Sequence, residues 1–274
     1  MPAIIIPSRW TRQPTTPVEV DWSHPLARGL ENCLLPVFAL ANFGKQGTVT
    51  GTKQSIAPWG NARGFYTTDG VGTGDRITFA GNNPVATGKR TVLAQYLYHT
   101  TGGGSVGRIY NRSAAGTNAA SEVLRIRTAN GLDYGRHVGG ADVSASYWAA
   151  PSIDVAHTSV VTSDGVTRAN SRHYMDGALQ TRLGDGATIS TAQAATNVLA
   201  IGNAANGNAG FDGKISLVVL WKTEFSAAEA LELTINPWQI FKPLVRRIYF
   251  DAAAGTFQAA WARNRSQVIG AGVH

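Results

Sequence analysis

Seven Asp-Gly and Asn-Gly dipeptides divide the middle of the chain into short segments. These dipeptides reach positive φ at little cost and favour the tight turns of β-hairpins. The segments between them are β-branched or alternate between apolar and polar residues, as strands do. The clearest are 76–80, 91–99, 122–129, 157–163, 171–180, 197–203 and 213–221. The spacing predicts a mainly β fold, an antiparallel sandwich rather than alternating strands and helices.

One short helix is predicted near residues 226–234. Ser226 can accept a hydrogen bond from the first turn, and Glu229 can reach back to it, as in a capping box. Asn236 precedes Pro237, which disfavours helical geometry, so the helix has about two turns. The strand before it contains a continuous apolar run, 217–221. Such a run predicts a strand covered on both sides, with the helix as one cover.

Three blocks of sequence resemble a known family. They are DWSHPLARGL (21–30), HYMDGAL (173–179) and GFDGKISLVVLWKTEFSAAEALELTINPWQIFKP (210–243). In this order they are similar to the concanavalin A-like, laminin-G-like domains of tailed-bacteriophage virion proteins, over roughly residues 20–250. The resemblance implies a jelly-roll sandwich of two antiparallel sheets, and a virion or carbohydrate-binding role.

The chain is expected to have three parts: an extended N-terminal arm (1–20), the sandwich with its helix (21–250), and a C-terminal arm (251–274). Exposed apolar side chains in a free tail would promote aggregation. The C-terminal arm is therefore predicted to cross to a neighbour, holding a homo-oligomer together or docking on another virion protein. The alternative is that it folds back on its own sandwich. Its contact residues would be Phe257, Trp261, Arg263, Arg265, Val268 and Ile269.

The net charge of +7 comes from scattered arginines, without a lysine-rich run. This distribution argues against a nucleic-acid partner. No apolar run approaches the roughly 20 residues that span a bilayer, so membrane insertion is not expected. The N-terminus lacks a basic region followed by an apolar core, the pattern of a secretion signal. The expected localisation is the virion, after synthesis in the host bacterial cytoplasm.

The sequence contains no recognisable catalytic pattern. Jelly-roll glycosidases need two carboxylates about 5 Å apart, and their Glu-x-Asp-x-x-Glu pattern does not occur. The histidines lack metal-binding spacing, and Gly-x-Ser-x-Gly is absent. We therefore predict a protein that is not an enzyme, with no catalytic residues. A glycan hydrolase is kept as an alternative.

Laminin-G-like domains often hold Ca²⁺ at the rim of the sandwich, which the resemblance extends to this chain as an open question. Oxygen ligands are what Ca²⁺ requires. Asp69, Asp75, Asn203 and Asp212 lie in predicted turns where such a site can form. Turn formation alone explains each of them. No metal ligand and no cofactor are predicted, while Ca²⁺ is left open.

Aromatic side chains on loops are the candidates for glycan contact, because rings cover sugar faces. Those considered are Trp59, Tyr66, Tyr134, Tyr147 and Trp148. The segment SASYWAAPS (144–152) is preferred, since two aromatics precede a turn with proline. Tyr147 and Trp148 are therefore the predicted glycan-binding residues. The alternative is that both belong to a buried strand.

The function expected from the sequence is a non-enzymatic structural protein of the bacteriophage virion. It would lie in the tail tip or baseplate, contact other virion proteins and bind a host-surface glycan. A capsid decoration protein that cements neighbouring subunits is the first alternative.

Overall fold

The computed structural model describes most of the chain up to Pro243. Everything below concerns the unit Met1–Lys242 and this one residue beyond it. The described residues are 13–14, 18–35, 42–45, 51–54, 66–69, 75–81, 88–100, 106–114, 120–127, 131–138, 141–185 and 197–243.

Seventeen strands and one α-helix make up this part of the chain. The helix, α1, is Ala227–Ile235. The strands are β1 (Val18–Val20), β2 (Leu30–Leu34), β3 (Thr52–Gln54), β4 (Tyr66–Asp69), β5 (Arg76–Phe79), β6 (Arg90–Thr100), β7 (Val106–Ala114), β8 (Ala120–Arg127), β9 (Gly131–Val138), β10 (Ala141–Trp148), β11 (Ala156–Ser163), β12 (Arg172–Met175), β13 (Ala178–Leu179), β14 (Arg182–Asp185), β15 (Asn197–Ile201), β16 (Asp212–Trp221) and β17 (Phe241–Pro243).

The strands form two large antiparallel sheets. The eight-stranded sheet has the order β14-β10-β9-β8-β7-β15-β5-β3. The seven-stranded sheet has the order β13-β12-β11-β6-β16-β2, with β4 also paired to β16. A small third sheet joins β1 to β17. The prediction of a mainly β, antiparallel sandwich with one short helix is therefore confirmed.

An apolar core fills the space between the two large sheets. Both sheets contribute to it, as expected for alternating strands whose inner faces meet. Val218 and Leu220 of β16 point into this core. From the eight-stranded sheet come Phe79, Ile109, Tyr110, Leu124, Ile126, Leu132, Tyr134, Trp148, Leu199 and others.

A second apolar core covers the other face of the seven-stranded sheet. Leu217, Val219 and Trp221 of β16 pack there against Leu233 of α1 and Trp238 of the turn that follows. The apolar run of β16 is thus covered on both sides, as the sequence predicted. We call this outer side of the seven-stranded sheet the covered face.

Helix α1 begins at the predicted capping box. The Ser226 side chain accepts a hydrogen bond from the Glu229 backbone N–H at 3.3 Å. The Glu229 carboxylate accepts one from the Ser226 backbone N–H at 2.8 Å. The helix ends at Ile235, before Asn236 and Pro237. The predicted capping box and the predicted position of the helix are both confirmed.

The predicted Asp-Gly hairpin joins β12 to β13. Asp176 and Gly177 have φ of 50° and 85°, the positive values that such a turn requires. The Gly177 N–H donates to Thr234 Oγ1 at 2.9 Å, so the hairpin is attached to α1. The Asp176 carboxylate also accepts a hydrogen bond from the backbone N–H of Thr158 and contacts the ring of His157.

The expected arms are only partly described. Val18 and Val20, placed in the N-terminal arm by the sequence, are buried in β1 and pack in the second core. These last residues of the expected arm therefore pack in the core of the covered face. The C-terminal residues Phe257, Trp261, Arg263, Arg265, Val268 and Ile269 lie outside the described residues. Within the described part of the chain, no helix has the length and hydropathy needed to cross a membrane.

Candidate functional site

A row of polar side chains crosses four neighbouring strands of the eight-stranded sheet. The backbone register aligns Tyr147 of β10 with Asp133 of β9, Asp133 with Arg125 of β8, and Arg125 with Arg108 of β7. Residues directly opposite each other project from the same face of a sheet. Arg127 lies two residues beyond Arg125 and shares that face. We call these five residues the polar row.

The polar row lies on the face turned away from the inter-sheet core. The residues that alternate with it, Trp148, Leu132 and Ile126, all belong to that core. Because side chains alternate along a strand, the row must project to the opposite side. The two outer faces of the sandwich therefore differ: the covered face is apolar, and this one carries charges.

Asp133 is the only carboxylate of the row and accepts from Arg125. Arg125 donates to Asp133 Oδ2 through Nε at 3.0 Å and Nη2 at 2.8 Å. Nη1 of Arg127 lies 3.7 Å from the same oxygen, an ion pair beyond hydrogen-bond distance. Among the described residues, none donates a hydrogen bond to Asp133 Oδ1. One carboxylate oxygen is thus used twice, and the other is buried with no donor among the described residues.

Arg108 extends the row with a second hydrogen-bonded chain. Its Nη1 donates to Asn111 Oδ1 at 2.6 Å, and Asn111 Nδ2 donates to Ser113 Oγ at 3.0 Å. Burial, and then the positive charge of Arg125, lowers the pKa of Arg108 to about 10.

The centre of the polar row is buried, and one of its ends is partly exposed. Asp133 has no exposed surface, and Arg108 and Arg125 are 6% and 9% exposed. Burial raises the pKa of Asp133, although the guanidiniums of Arg125 and Arg127 act to lower it. Tyr147 and Arg127 are partly exposed. A ligand would therefore reach the row from their side.

The ring of Tyr147 lies over Gly184 of the edge strand β14. A Cβ added at Gly184 would lie 3.1 Å from Cε1 and 3.3 Å from the hydroxyl of Tyr147. Glycine is therefore the residue that lets the ring lie close to the sheet at this position. The predicted glycan-binding role of Tyr147 stays a prediction, now with a defined setting.

Trp148 does not fit its predicted role. It is 1% exposed and packs in the inter-sheet core, where its ring centroid lies 5.1 Å from that of His173. The reason is the alternation of side chains, because neighbours in a strand cannot both face outward. For Trp148 the alternative interpretation, a buried strand residue, is the correct one.

The other aromatic candidates do not join the row. Tyr134 is fully buried on the inner face, where its hydroxyl donates to Glu122 Oε1 at 3.1 Å. Trp59 lies outside the described residues, and of Tyr66 only the backbone strand is described.

A second group of charges, which the sequence did not reveal, lies inside the sandwich. We call Glu31, Arg90, Arg112, Glu122 and Arg136 the inner charge cluster. All but Glu31 are at most 1% exposed, and Glu31 is 5% exposed. Arg112, Glu122 and Arg136 face one another across β7, β8 and β9. They are the polar members of strands whose other inward residues are apolar.

Glu122 is held by several partners. Arg112 donates to its Oε2 at 3.0 Å, and Nε of Arg90 lies 3.5 Å from its Oε1. Burial acts to raise the pKa of Glu122, but Arg90, Arg112 and Arg136 outweigh it and lower the pKa to about 2. Arg90 also pairs with Glu31, which ties β6 to β2. The cluster joins the two sheets.

A buried Ser–His pair has the residue types of a nucleophilic site but not its access. His173 Nε2 lies 2.9 Å from Ser159 Oγ, and Tyr96 Oη lies 3.0 Å from the same oxygen. Both Ser159 and His173 are buried, and burial lowers the pKa of His173 to about 3. A substrate cannot reach this hydroxyl in the folded protein.

Two of the oxygen-bearing side chains noted in the sequence, Asn203 and Asp212, have contacts that serve local structure. Asn203 Oδ1 accepts from the backbone of Ala204 and Ala209, both at 2.8 Å. Asp212 accepts from Thr100 Oγ1 at 2.7 Å. Asp75 is buried, and the side chain of Asp69 is not described. Across the described ranges, no three His, Cys, Asp or Glu side chains are grouped as metal ligands. Ca²⁺ binding stays an untested expectation.

One pair of carboxylates has alternate spacing, Glu19 and Asp21. Glu19 pairs with Lys242 at 3.4 Å, which joins β1 to β17. Asp21 accepts from the Ser23 hydroxyl at 2.6 Å. These contacts close the loop after β1 and account for both carboxylates.

The described part of the chain is a β-sandwich with a charged, partly accessible face, an arrangement compatible with a binding module. No protein-family model matches the chain. No curated protein matches it either.

Several solved structures are similar to it. Trypanosoma rangeli sialidase is 14% identical with a TM-score of 0.47, over 77% of this chain and 33% of that one. The same sialidase in complex with 2,3-difluoro-KDN is 16% identical with a TM-score of 0.49, over 84% and 36%. The Ruminococcus gnavus IT-sialidase CBM40 bound to α2,3-sialyllactose is 19% identical with a TM-score of 0.39, over 54% and 83%.

This chain spans about a third of the sialidase structures that it matches. The prediction of a protein that is not an enzyme is wrong on this comparison, because the similar structures include sialidases, which are enzymes. The carbohydrate-binding module among them is non-catalytic. Likenesses at this level concern the fold, and no reaction follows from them for this chain.

Proposed function

We propose that this protein binds a glycan of a host cell surface through the polar row. The observation that carries the proposal is the alignment of Tyr147, Asp133 and Arg125 on one face, with Arg127 beside them. An aromatic ring, a carboxylate and guanidinium donors are the groups that bind the apolar face and the hydroxyls of a sugar.

The partly exposed end of the row supports this proposal. Tyr147 and Arg127 are the members of the row that a ligand can reach, and the guanidinium of Arg127 offers N–H donors to sugar hydroxyls. Asp133 is buried and positions this end, since it accepts from Arg125 and lies 3.7 Å from Nη1 of Arg127. The ring of Tyr147, held over Gly184, supplies the apolar contact.

The setting that we propose is a bacteriophage virion, in the tail tip or baseplate. Its support is the sequence resemblance to laminin-G-like virion domains, carried by residues 21–30, 173–179 and 210–243. In that setting the partners are other virion proteins and further copies of this chain. A capsid decoration protein is the second candidate setting for the same sandwich. Labelling the protein on intact particles and imaging the label separates tail from capsid.

Glycan binding is tested by comparing three proteins on a glycan array and on host envelopes. Wild type should bind, and Tyr147→Ala should bind at least about ten-fold more weakly, because the ring contact is lost. Tyr147→Phe is the matched control, which keeps the ring and should bind within about three-fold of wild type. Circular dichroism and denaturation confirm that each variant is folded. Equal binding by Tyr147→Ala, or no glycan bound by folded wild type, would reject the proposal.

A further inference from the structure

The loop between β10 and β11, residues 149–155, begins beside the partly exposed end of the polar row. Tyr147 lies two residues before it. A Cβ added at Gly131, the first residue of β9, would lie 2.6 Å from the backbone nitrogen of Ala150. Gly131 is also the partner of Arg127 in the ladder between β8 and β9. The start of this loop therefore packs against the backbone that holds both partly exposed members of the row.

His157 of β11 attaches this loop to the sandwich. Its Nε2 lies 3.2 Å from the Ser152 carbonyl oxygen, and its Nδ1 lies 2.6 Å from Asp176 Oδ2. A carbonyl oxygen and an ionised carboxylate accept hydrogen bonds but cannot donate them. Both ring nitrogens must therefore carry a proton, so the geometry is that of an imidazolium ion. The other oxygen of Asp176 accepts from the Thr158 backbone N–H at 2.8 Å.

The surroundings of His157 favour its charged form. The hydrogen bond to Asp176 raises the pKa of His157 above its ordinary value of 6.5, although burial acts to lower it. Burial acts to raise the pKa of Asp176, but the contacts with His157 and the Thr158 N–H outweigh it and lower that pKa. The other titratable groups facing the ring are neutral, since burial lowers the pKa of His173 to about 3 and raises the pKa of Tyr96. Near neutral pH, His157 is thus the group that changes its charge.

We infer that charged His157 positions the loop 149–155 and, through it, the partly exposed end of the polar row, so that glycan binding depends on the protonation of this ring. This inference rests on the proposed function and deepens it by naming how the site is regulated. A neutral ring keeps one N–H, which the Asp176 carboxylate retains as the stronger acceptor. The lone pair of Nε2 then faces the Ser152 carbonyl oxygen, and the loop loses this attachment.

The raised pKa of His157 sets the direction of the pH dependence. The attachment at Ser152 is fully present below the ordinary value of 6.5 and is lost as the pH rises through the pKa of the folded protein. Glycan binding should therefore be strongest in mildly acidic solution and should weaken as the solution becomes alkaline.

His99 provides a matched control on the same loop. Its ring contacts the carboxylate of Asp154, so it too pairs with an acidic group. The side chains of His99 and Asp154 are 43% and 63% exposed, so water screens the pair and it holds the loop weakly. The Asp154 backbone N–H donates to the Tyr98 carbonyl at 2.8 Å whatever the charge of His99. Replacing His99 removes a histidine and keeps the attachment at Ser152.

The first experiment needs no glycan. Nuclear magnetic resonance of the full chain, with labelled histidine and tyrosine, follows His157 and Tyr147 while the pH is raised. His157 should lose its second proton with a midpoint above 6.5, and the ring signals of Tyr147 should shift with the same midpoint. Asp176→Asn should lower this midpoint, because the carboxylate that favours the imidazolium is gone. Asparagine tolerates the positive φ of this turn position, so the hairpin is kept.

Binding to immobilised host envelopes measures the consequence for the proposed function. Wild type should bind about three-fold or more tightly at about pH 6 than at about pH 8.5. His157→Gln keeps an amide donor but does not titrate, so its affinities at the two pH values should agree within about two-fold. His99→Gln should keep the pH dependence of wild type. Circular dichroism at both pH values confirms that each variant is folded.

The outcomes separate this inference from the proposed function. A His157 midpoint at or below 6.5, or Tyr147 signals that do not follow it, would overturn the inference while glycan binding stands. A folded His157→Gln variant with the pH dependence of wild type would do the same. If His157→Gln does not fold, the titrations of wild type and Asp176→Asn decide the inference. If Tyr147→Ala binds host envelopes as tightly as wild type, the proposed function itself fails.

Discussion

Strands β7, β8 and β9 carry an arginine–carboxylate group on each of their two faces, and the two groups differ in how complete they are. On the inner face Glu122 is held by Arg112 and Tyr134 through separate oxygens. On the outer face Asp133 is held by Arg125 through one oxygen. The pKa of Glu122 is lowered to about 2, whereas burial raises the pKa of Asp133.

The difference shows that buried charge has two uses in one sheet. A carboxylate whose partners outweigh its desolvation is stabilised as an ion and joins the elements that hold it. A carboxylate whose partners do not outweigh desolvation is less stabilised as an ion. The inner charge cluster therefore belongs to folding, and the polar row is the face at which we propose binding. Four measurements test this difference between the two faces.

Replacing Glu122 should have the largest effect. Glu122→Gln leaves Arg90 and Arg112 with Glu31 as the remaining carboxylate of the inner charge cluster, and removing one partner of a buried pair costs about 3–5 kcal/mol. Chemical denaturation measures the change in the free energy of unfolding. Glu232→Gln, at an exposed position of α1, is the control and should stay within about 0.5 kcal/mol of wild type. A loss below about 1 kcal/mol for Glu122→Gln would contradict a folding role.

Lowering the pH should remove much of the stabilisation that ionised Glu122 provides. The pKa of Glu122 is about 2 in the folded protein against an ordinary value of 4.5. A lowered folded pKa means that the stabilisation is present above pH 4.5 and is lost as the pH falls towards 2. The loss amounts to about 3 kcal/mol. Denaturation curves across this range should slope more steeply for wild type than for Glu122→Gln, since the variant lacks the titrating group. Equal pH dependence of stability in the two proteins would show that Glu122 does not cause the loss in acid.

Asp133→Asn should cost less than Glu122→Gln, about 1–2 kcal/mol, because one Arg125 pair is lost while an unfavourable buried charge is removed. Its pH dependence should be opposite in sign. The pKa of Asp133 is raised from 3.8, so ionised Asp133 weakens the fold as the pH rises above that value. Asp133→Asn should therefore be closest to wild type at neutral pH. If Asp133→Asn lowered the free energy of unfolding as much as Glu122→Gln, the two faces would not differ in their contribution to stability.

The smallest effect on stability is expected for Arg127→Gln. Arg127 is partly exposed and its ion pair with Asp133 spans 3.7 Å, so the change should stay within about 0.5 kcal/mol. Thermal melting measures it. A larger loss would assign Arg127 to the fold, and its effect on glycan binding would then be indirect.

Much of the fold follows from local sequence signals. The capping box at Ser226, the Asp176-Gly177 turn and the doubly covered strand β16 each depend on residues close together in the chain. Turns, helix caps and the alternation of side chains depend on neighbouring residues, so the sequence indicates them directly. All three predictions are confirmed.

The polar row could not be predicted from local sequence signals. Its members come from four strands, and a shift of one residue in any register would replace Asp133 with Leu132 or Tyr134. Register depends on long-range pairing and on irregularities such as the one between Arg108 and Tyr110. The same limit explains Trp148, whose side depends on which residue of β10 faces outward. The prediction that both Tyr147 and Trp148 bind glycan overlooked that neighbours in a strand face opposite sides.

The position of β2 at the edge of its sheet has a consequence for synthesis. Its ladder partner is β16, with Leu34 opposite Val218, so the two strands are made far apart in time. At roughly 5–20 residues per second, β16 is synthesised about 10–40 s after β2. During this interval Cys33 and Leu34 lack the strand that pairs with them. This edge of the sheet is therefore expected to form only after β16 has been synthesised.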